Sequence, residues 1–133
     1  MLALLALAQS ELPFRVDEIR LIGNARTADA VIERELGFGP GDEVNGEALA
    51  SGQERVMNLQ LFSRVRVGRS TADGRNVVEV DVEERWTLIP IPLAIATGDG
   101  YRVGGFFFES NLFGRNKNLA VGGFYSPQGS SVF

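Results

Sequence analysis

The sequence predicts an α+β fold: a three-stranded sheet covered by two helices, then further antiparallel strands. Three observations support this class. Residues 13–85 show hydrophobic periods in the order strand, helix, helix, strand, strand. Two valine-rich runs of period two flank an Asp-Gly turn. The net charge is −5 from Glu11 to Arg85, with 15 acidic and 10 basic residues, and +1 from Trp86 onward, where 8 of the 16 glycines lie.

The composition excludes several kinds of catalytic site. The chain has no cysteine and no histidine, which excludes a zinc site, a thiol nucleophile and a Ser-His triad. Its net charge of −4 gives no support for nucleic-acid binding. We therefore expect no catalytic residue, no metal, no cofactor and no nucleic-acid partner.

The first strand and the first helix are predicted in residues 14–37. Apolar and charged residues alternate over 14–24, while Val16 is out of phase and indicates a bulge. The helix that follows would take Thr27 as its N-cap and end at Gly37.

A second helix is predicted over residues 45–62. Its buried stripe would comprise Leu49, Val56 and Leu59, with Met57 or Phe62. Gly52 inside this helix costs about 1 kcal/mol against alanine. It indicates either close packing against a neighbour or a merely tolerated glycine.

Two further strands, 63–70 and 77–85, form a predicted hairpin. Their valines would face one core, and their charged residues would face solvent and pair across the strands. Nothing in this pattern indicates a catalytic carboxylate pair. The core valines are Val65, Val67, Val78, Val80 and Val82, and the charged residues are Arg64, Arg66, Glu79, Asp81 and Glu83.

Residues 13–85 resemble a POTRA (polypeptide-transport-associated) domain. The resemblance lies in four features: the "IGN" that ends the first strand, the helix beginning "RT", the phrase "LQLFSRVRV", and the acidic closing strand "VVEVDVEER". It implies the order β-α-α-β-β and a periplasmic domain that binds other polypeptides.

The residues after Trp86 alternate with period two. "LIPIPLAIA" contains two prolines, so this strand is expected at the start or edge of a sheet. "YRVGGFFFES" and "LAVGGFYS" form a predicted hairpin of about ten-residue strands, a pattern typical of transmembrane β-barrels. Trp86, Tyr101 and Tyr125 would then be interfacial anchors. A soluble hairpin stacked on the first domain is the alternative.

The tail resembles the first barrel strands of the outer-membrane assembly and translocation superfamily that includes BamA and TamA. The phrase that carries the resemblance is "NLFGRNKNL", residues 111–119. It implies that the first barrel strand forms a weak seam that opens sideways, and that Phe106 and Phe108 face lipid or this seam. We assign the seam to Tyr101, Arg102, Val103, Gly104, Gly105, Phe106, Phe107 and Phe108.

The expected organisation has three parts. Residues 1–9 read as the remnant of a secretory signal, because the apolar run Leu2–Ala8 ends in a small-x-small pattern. The POTRA domain covers 13–85, and a linker with the first barrel strands covers 86–133. Since a closed barrel needs at least about eight strands, we expect a fragment of a longer protein.

The resemblance implies an outer-membrane protein with its POTRA domain in the periplasm, acting in the insertion or translocation of other proteins. Its partners would be unfolded outer-membrane or secreted polypeptides, outer-membrane lipid and periplasmic accessory proteins. Peptides would add as a strand to the free edge of the sheet. That edge is predicted at Arg64, Val65, Arg66, Val67, Gly68 and Arg69.

Three alternatives stay open at this point: a two-partner-secretion transporter, a barrel that anchors a fused enzyme such as a patatin-like lipase, and a division scaffold of the FtsQ type. The last would require a transmembrane helix, and Leu2–Ala8 is too short for one.

Overall fold

The computed structural model describes residues 12–133. They form two compact units, and the boundary between the units lies between Arg85 and Trp86. The predicted signal segment, residues 1–9, lies outside the described residues.

The first unit follows the predicted order and adds two short strands. Three longer strands form one sheet in the order β2-β5-β4, in which β5 runs parallel to β2 and antiparallel to β4. The short strands β1 and β3 form a separate antiparallel pair. The predicted α+β class is confirmed. The elements are β1 (Phe14–Arg15), β2 (Glu18–Ile22), α1 (Asp29–Leu36), β3 (Glu43–Val44), α2 (Gly46–Met57), β4 (Phe62–Ala72) and β5 (Arg75–Glu84).

The predicted first strand is divided because the chain changes partners at Val16 and Asp17. The N–H of Val16 donates to the carbonyl of Asp42 at 2.9 Å, whereas the N–H of Asp17 donates to the carbonyl of Asn76 at 2.9 Å. Val16 is fully buried. Its out-of-phase position therefore marks a change of partner and not a bulge inside one strand.

The core of the first unit lies between the two helices and one face of the β2-β5-β4 sheet. The valines predicted to face this core do so, although Val67 is only partly buried. Burial of these apolar side chains is the main driving force for folding this unit. The buried residues of this core are Phe14, Val16, Val31, Ile32, Leu36, Val44, Leu49, Val56, Leu61, Phe62, Val65, Val78, Val80 and Val82.

Helix α1 begins one residue later than a Thr27 cap requires. Its N-cap is Ala28, which makes no side-chain capping hydrogen bond, so the prediction for Thr27 is wrong. Thr27 is instead buried, and its N–H donates to Oε1 of Glu84 at 2.6 Å. The same carboxylate accepts from the N–H of Arg26, which fixes the segment before the helix to β5. The helix ends as predicted at Gly37, where φ is 79°.

Helix α2 is shorter than the predicted segment 45–62. Oδ1 of Asn45 caps it by accepting from the N–H of Ala48 at 2.8 Å. The helix ends at Met57, which is exposed, and Phe62 is buried in β4 rather than in the helix. Within residues 12–133, neither helix is long and apolar enough to cross a membrane.

Gly52 is a position of close packing between the helices, which confirms the first of its two interpretations. A Cβ atom there would lie 3.2 Å from the carbonyl oxygen of Leu36 and 3.2 Å from Cε1 of Phe38. Arg55 reaches across the same contact and donates to the carbonyls of Glu35 and Leu36, at 2.8 Å and 2.5 Å.

The second unit is one antiparallel sheet of four strands in chain order. The strand with the prolines lies at its edge, as predicted. A Cβ atom at Gly104 would overlap the carbonyl oxygen of Gly123, so glycine permits the close approach of two neighbouring strands. The strands are β6 (Leu88–Thr97), β7 (Gly100–Glu109), β8 (Leu119–Ser126) and β9 (Gly129–Val132).

Candidate functional site

Strand β4 is an edge strand of the first unit's sheet. It pairs with β5 on one side, and within residues 12–133 no strand pairs with its other side. Residues Arg64–Arg69, predicted as the free edge, lie in the middle of this eleven-residue strand. The turn that follows has positive φ at Asp73 and Gly74, 53° and 73°, and so holds the hairpin in register.

One backbone group on the open side of β4 is occupied by a side chain. The N–H of Val67 donates to Oε1 of Gln53, from α2, at 3.0 Å. Because backbone groups alternate sides along a strand, the N–H and C=O groups of Val65 and Arg69 also point away from β5. The open edge therefore offers three alternate residues for pairing, Val65, Val67 and Arg69, and the N–H of Val67 is already bonded to Gln53.

A groove runs beside this edge, between β4 and α2. Its volume is about 520 Å³. Leu49, Phe14 and Val67 give it an apolar floor, while Gln53 and Arg69 supply polar atoms. A strand added to β4 would place alternate side chains over this groove. The lining residues are Phe14, Gly46, Leu49, Ala50, Gln53, Val67, Gly68 and Arg69.

Arg69 is held in place at this groove. Its guanidinium carbon lies 4.3 Å from the centroid of the Phe14 ring, a cation–π contact. Two of its nitrogens donate to Oδ1 of Asn76 at 3.2 Å and 2.7 Å. The positive charge beside the groove is thus positioned by both β1 and β5.

The opposite face of the sheet is a solvated face of paired charges, as predicted. Arg64 lies 3.6 Å from Asp81 and 3.9 Å from Glu83, and Arg20 lies 3.7 Å from Glu79. Because these side chains are about 40% or more exposed, each pair contributes roughly 0–1 kcal/mol. These ion pairs balance charge and form no catalytic constellation.

The predicted seam strand lies inside the second sheet. Residues Tyr101–Phe108 lie in β7, which is hydrogen-bonded to β6 on one side and to β8 on the other. The sheet edge that precedes β7 in the chain is β6 instead. Pro90 and Pro92 predicted an initial or edge strand, and both residues pair with β7 from that edge.

The register of the second sheet places large apolar residues on both of its faces. Phe107 lies opposite Val121, and Val103 lies opposite Tyr125. Phe107 is 58% exposed, whereas Phe106 and Phe108 are on the other face and only half-buried. That other face also carries Arg102. We define the apolar face as Tyr101, Val103, Phe107, Leu119, Val121 and Tyr125.

The three predicted anchor aromatics lie at two ends of this sheet. Tyr101 and Tyr125 lie near the turn between β6 and β7 and are 50% and 58% exposed. Trp86 precedes β6 at the opposite end and is 72% exposed. Ten strand residues extend about 33 Å, or about 25 Å at a barrel tilt of about 40°.

Two residues with a place at these surfaces were missed from sequence. Gln53 follows Leu49 by one helical turn, but no sequence signal pairs it with a strand edge. Phe113 stands in the "NLFGRNKNL" phrase, which was interpreted only as a turn. It is 83% exposed.

Comparison with known proteins agrees with this architecture. The family described as "POTRA: Surface antigen variable number repeat" matches residues 14–85, more than half of the 133 residues. The chain belongs to the POTRA family. Its POTRA domain thus coincides with the first unit, from β1 through β5.

This chain is similar to two proteins that are both named outer membrane protein assembly factor BamA. It is 36% identical over 113 residues to the outer membrane protein assembly factor BamA of Neorickettsia risticii, a match that covers 81% of this chain and 15% of that protein. It is 25% identical over 119 residues to the BamA of Nitratidesulfovibrio vulgaris, covering 87% of this chain and 15% of that protein. The chain therefore spans about 15% of the length of these relatives.

A solved structure shares the fold. BamA from Haemophilus ducreyi lacking POTRA domains 1-3 matches with a TM-score of 0.65 at 22% identity, over 84% of this chain and 22% of that one. The first unit ends at residue 85 of 133, so a match that covers 84% of the chain must continue past Trp86. The likeness is not confined to the POTRA domain.

Proposed function

We propose that this chain is part of an outer-membrane protein of the BamA type that assembles or translocates other polypeptides. Its POTRA domain lies in the periplasm, and residues 86–133 are the first strands of a transmembrane β-barrel. The similarity to BamA past Trp86 supports this assignment, since it joins the POTRA domain to the strands that follow it.

The POTRA domain binds an extended polypeptide along β4. The observation that carries this proposal is the open edge of β4 beside the groove on α2. Main-chain hydrogen bonds to Val65, Val67 and Arg69 would supply affinity with little demand on the sequence of the client. Apolar side chains at alternate positions would lie over Leu49. No bond is made or broken, so the proposed activity is not enzymatic.

The second unit contacts lipid through the apolar face. The opposite face of β7 carries Arg102, whose charge is costly in hydrocarbon and suits a lumen. Phe106 and Phe108 lie on that same face and would then line the lumen or the seam instead of contacting lipid. Trp86, Tyr101 and Tyr125 would lie at the two membrane interfaces, where amphipathic rings are enriched.

We assign the barrel seam to β6 instead of β7, because β6 is the first strand of this sheet and, within residues 12–133, has a free side, whereas β7 is paired on both sides. Pro90 and Pro92 lack N–H groups and limit how many hydrogen bonds a further strand could make with β6. A seam with fewer bonds would open more easily to an incoming strand.

Substitution of Val67 tests the peptide edge. Val67→Pro removes the outward N–H, and the hairpin keeps its bonds because that group does not pair with β5. We expect the detergent-solubilised chain to bind a fluorescent peptide of alternating valine and threonine about tenfold more weakly, or about 1.4 kcal/mol.

The matched control is Val67→Ala, which shortens the side chain and keeps the N–H. Its affinity for the same peptide should stay within about twofold of the parent chain, since one backbone donor is retained. Equal affinities of the proline and alanine variants would rule out binding at this edge.

Depletion in cells separates assembly from secretion. If the protein assembles outer-membrane proteins, its depletion should lower the levels of several unrelated barrel proteins in the outer-membrane fraction. Loss of a single secreted protein with unchanged barrel levels would favour the secretion transporter instead.

A further inference from the structure

We infer that the loop between β7 and β8 is a lipid anchor that inserts Phe113 into the interface of an anionic phospholipid membrane. The inference rests on the proposed membrane placement of residues 86–133 and adds a specific contact to it. Phe113 is 83% exposed, although burial of a phenylalanine is favourable.

The loop holds Phe113 outward by a defined network. The Asn111 side chain is buried, and its Oδ1 accepts from the N–H of Asn116 at 2.9 Å. The N–H of Leu112 donates to the carbonyl of Lys117 at 2.9 Å, which closes the loop. Phe113 itself has φ 57°, a left-handed conformation that is unfavourable for a bulky residue. The surrounding bonds maintain this conformation and keep the ring in solvent.

Two cations accompany the exposed ring. Arg115 and Lys117 are exposed, and neither makes an ion pair within residues 12–133. The segment 110–118 contains no acidic residue. An apolar tip beside unpaired cations matches the two layers of an anionic bilayer surface, in which phosphate groups lie above the acyl chains.

The position of the loop in the sheet agrees with this partner. Leu88 at the start of β6 pairs with Glu109 at the end of β7, so Trp86 and the loop share one end of the sheet. Tyr101 and Tyr125 mark the other end, and the apolar face lies between them. Phe113 therefore stands where an interfacial aromatic residue is expected.

A tryptophan reporter tests the contact. Phe113→Trp is made in a Trp86→Phe background, which leaves one tryptophan in the chain. The whole outer-membrane protein of which this chain is proposed to be part, with any further tryptophan replaced by phenylalanine, is folded into phosphatidylcholine vesicles with and without phosphatidylglycerol. We expect blue-shifted emission and quenching by brominated lipid, both stronger with phosphatidylglycerol. Replacement of Arg115 and Lys117 by serine should abolish the difference between the two vesicles.

A second reporter, Val121→Trp in the same background, monitors insertion of the apolar face. If brominated lipid quenches Val121→Trp but not Phe113→Trp, the lipid anchor is overturned and the membrane placement stands. This result is expected if the loop contacts a protein instead of lipid. If neither reporter is quenched, the membrane placement itself fails. Quenching of Phe113→Trp that is independent of phosphatidylglycerol would overturn the role of the cations.

Discussion

The two units of the chain differ in how much of their apolar surface is buried within the described residues. In the first unit, one sheet face and two helices enclose a core, and the other sheet face is charged. In the second unit, within residues 12–133, no large apolar side chain is buried; its buried side chains are those of Thr87 and Asn111. The elements of the first unit therefore enclose its apolar core, whereas the large apolar side chains of the second sheet are exposed or only half-buried.

This difference has a physical cause in the sequences of the strands. A strand with one polar and one apolar face needs a single covering layer, which α1 and α2 supply to the first sheet. Strands β6 to β8 carry apolar residues on both faces, and residues 86–133 contain no α-helix. Two faces without a covering layer leave large apolar patches, which mark membrane or protein contacts.

Expressing the two units as separate fragments should give the largest effect, a difference in their solubility in water. A fragment of residues 13–85 is expected to be soluble and to unfold in one cooperative transition in urea, because its core lies within these residues. Residues 86–133 alone should precipitate from water and dissolve only with detergent. Circular dichroism during urea titration and sedimentation of each fragment would measure this. A monomeric, soluble 86–133 fragment would contradict the comparison.

A glycine substitution tests how tightly the first unit is built. Gly23, the glycine of "IGN", has φ 94°, and a Cβ atom there would overlap the carbonyl oxygen of Val82. We expect Gly23→Ala to destabilise the first unit by about 2–4 kcal/mol, combining backbone strain with displacement of β5. The urea midpoint would report it.

Gly68→Ala is the control for this substitution. Gly68 lies in β4, and no other heavy atom lies within 4 Å of a Cβ atom placed there. Its φ is not positive. Alanine should therefore change stability by less than about 0.5 kcal/mol. If Gly23→Ala were as stable as Gly68→Ala, the close approach of Gly23 to the carbonyl of Val82 would not determine the stability of the first unit.

Two adjacent arginine substitutions test which face of the second sheet contacts lipid. Val121 lies on the apolar face and Ala120 on the face of Arg102, and both are exposed. Val121→Arg should cost about 1–3 kcal/mol of folding free energy in vesicles, and Ala120→Arg less than about 1 kcal/mol. Urea unfolding of the whole protein of which this chain is proposed to be part, inserted in vesicles and followed by heat-modified gel mobility, measures both. The reverse order would assign lipid to the other face.

The sequence predicted the first unit better than the second. Periodicity found the helices, the hairpin and the core valines, because in this unit each pattern has one buried face. It misplaced the helix cap at Thr27, since the hydrogen bond from the N–H of Thr27 to the carboxylate of Glu84 joins residues 57 positions apart. Such long-range bonds leave no local signal.

The candidate sites show the same limit. The run Arg64–Arg69 was found because alternation defines a strand, and its position after the helices suggests an edge. The bond between Gln53 and Val67 was missed because it depends on how α2 lies against β4. In the second unit, β6 was separated from the barrel hairpin because its prolines suggested an initial segment. The prolines correctly predicted an edge position, but the sequence did not show that Pro90 and Pro92 pair with β7.

Substitution of Gln53 should change the free energy of unfolding only slightly, but it should raise the affinity for the client. Its side chain accepts the hydrogen bond that a client carbonyl would take from the N–H of Val67. Gln53→Ala removes one exposed bond, so the free energy of unfolding should fall by only about 0.5–1 kcal/mol. Because the client no longer displaces that bond, its affinity should rise about two- to fivefold.

Gln53→Glu is the matched variant, since it keeps an oxygen acceptor at the same position. Fluorescence titration with the valine-threonine peptide should give Gln53→Glu an affinity at or below that of the parent chain, and Gln53→Ala one above it. Weaker binding by Gln53→Ala would mean that Gln53 contacts the client directly instead of competing with it. The open edge of the first unit would then use a side chain of α2 as part of its binding surface.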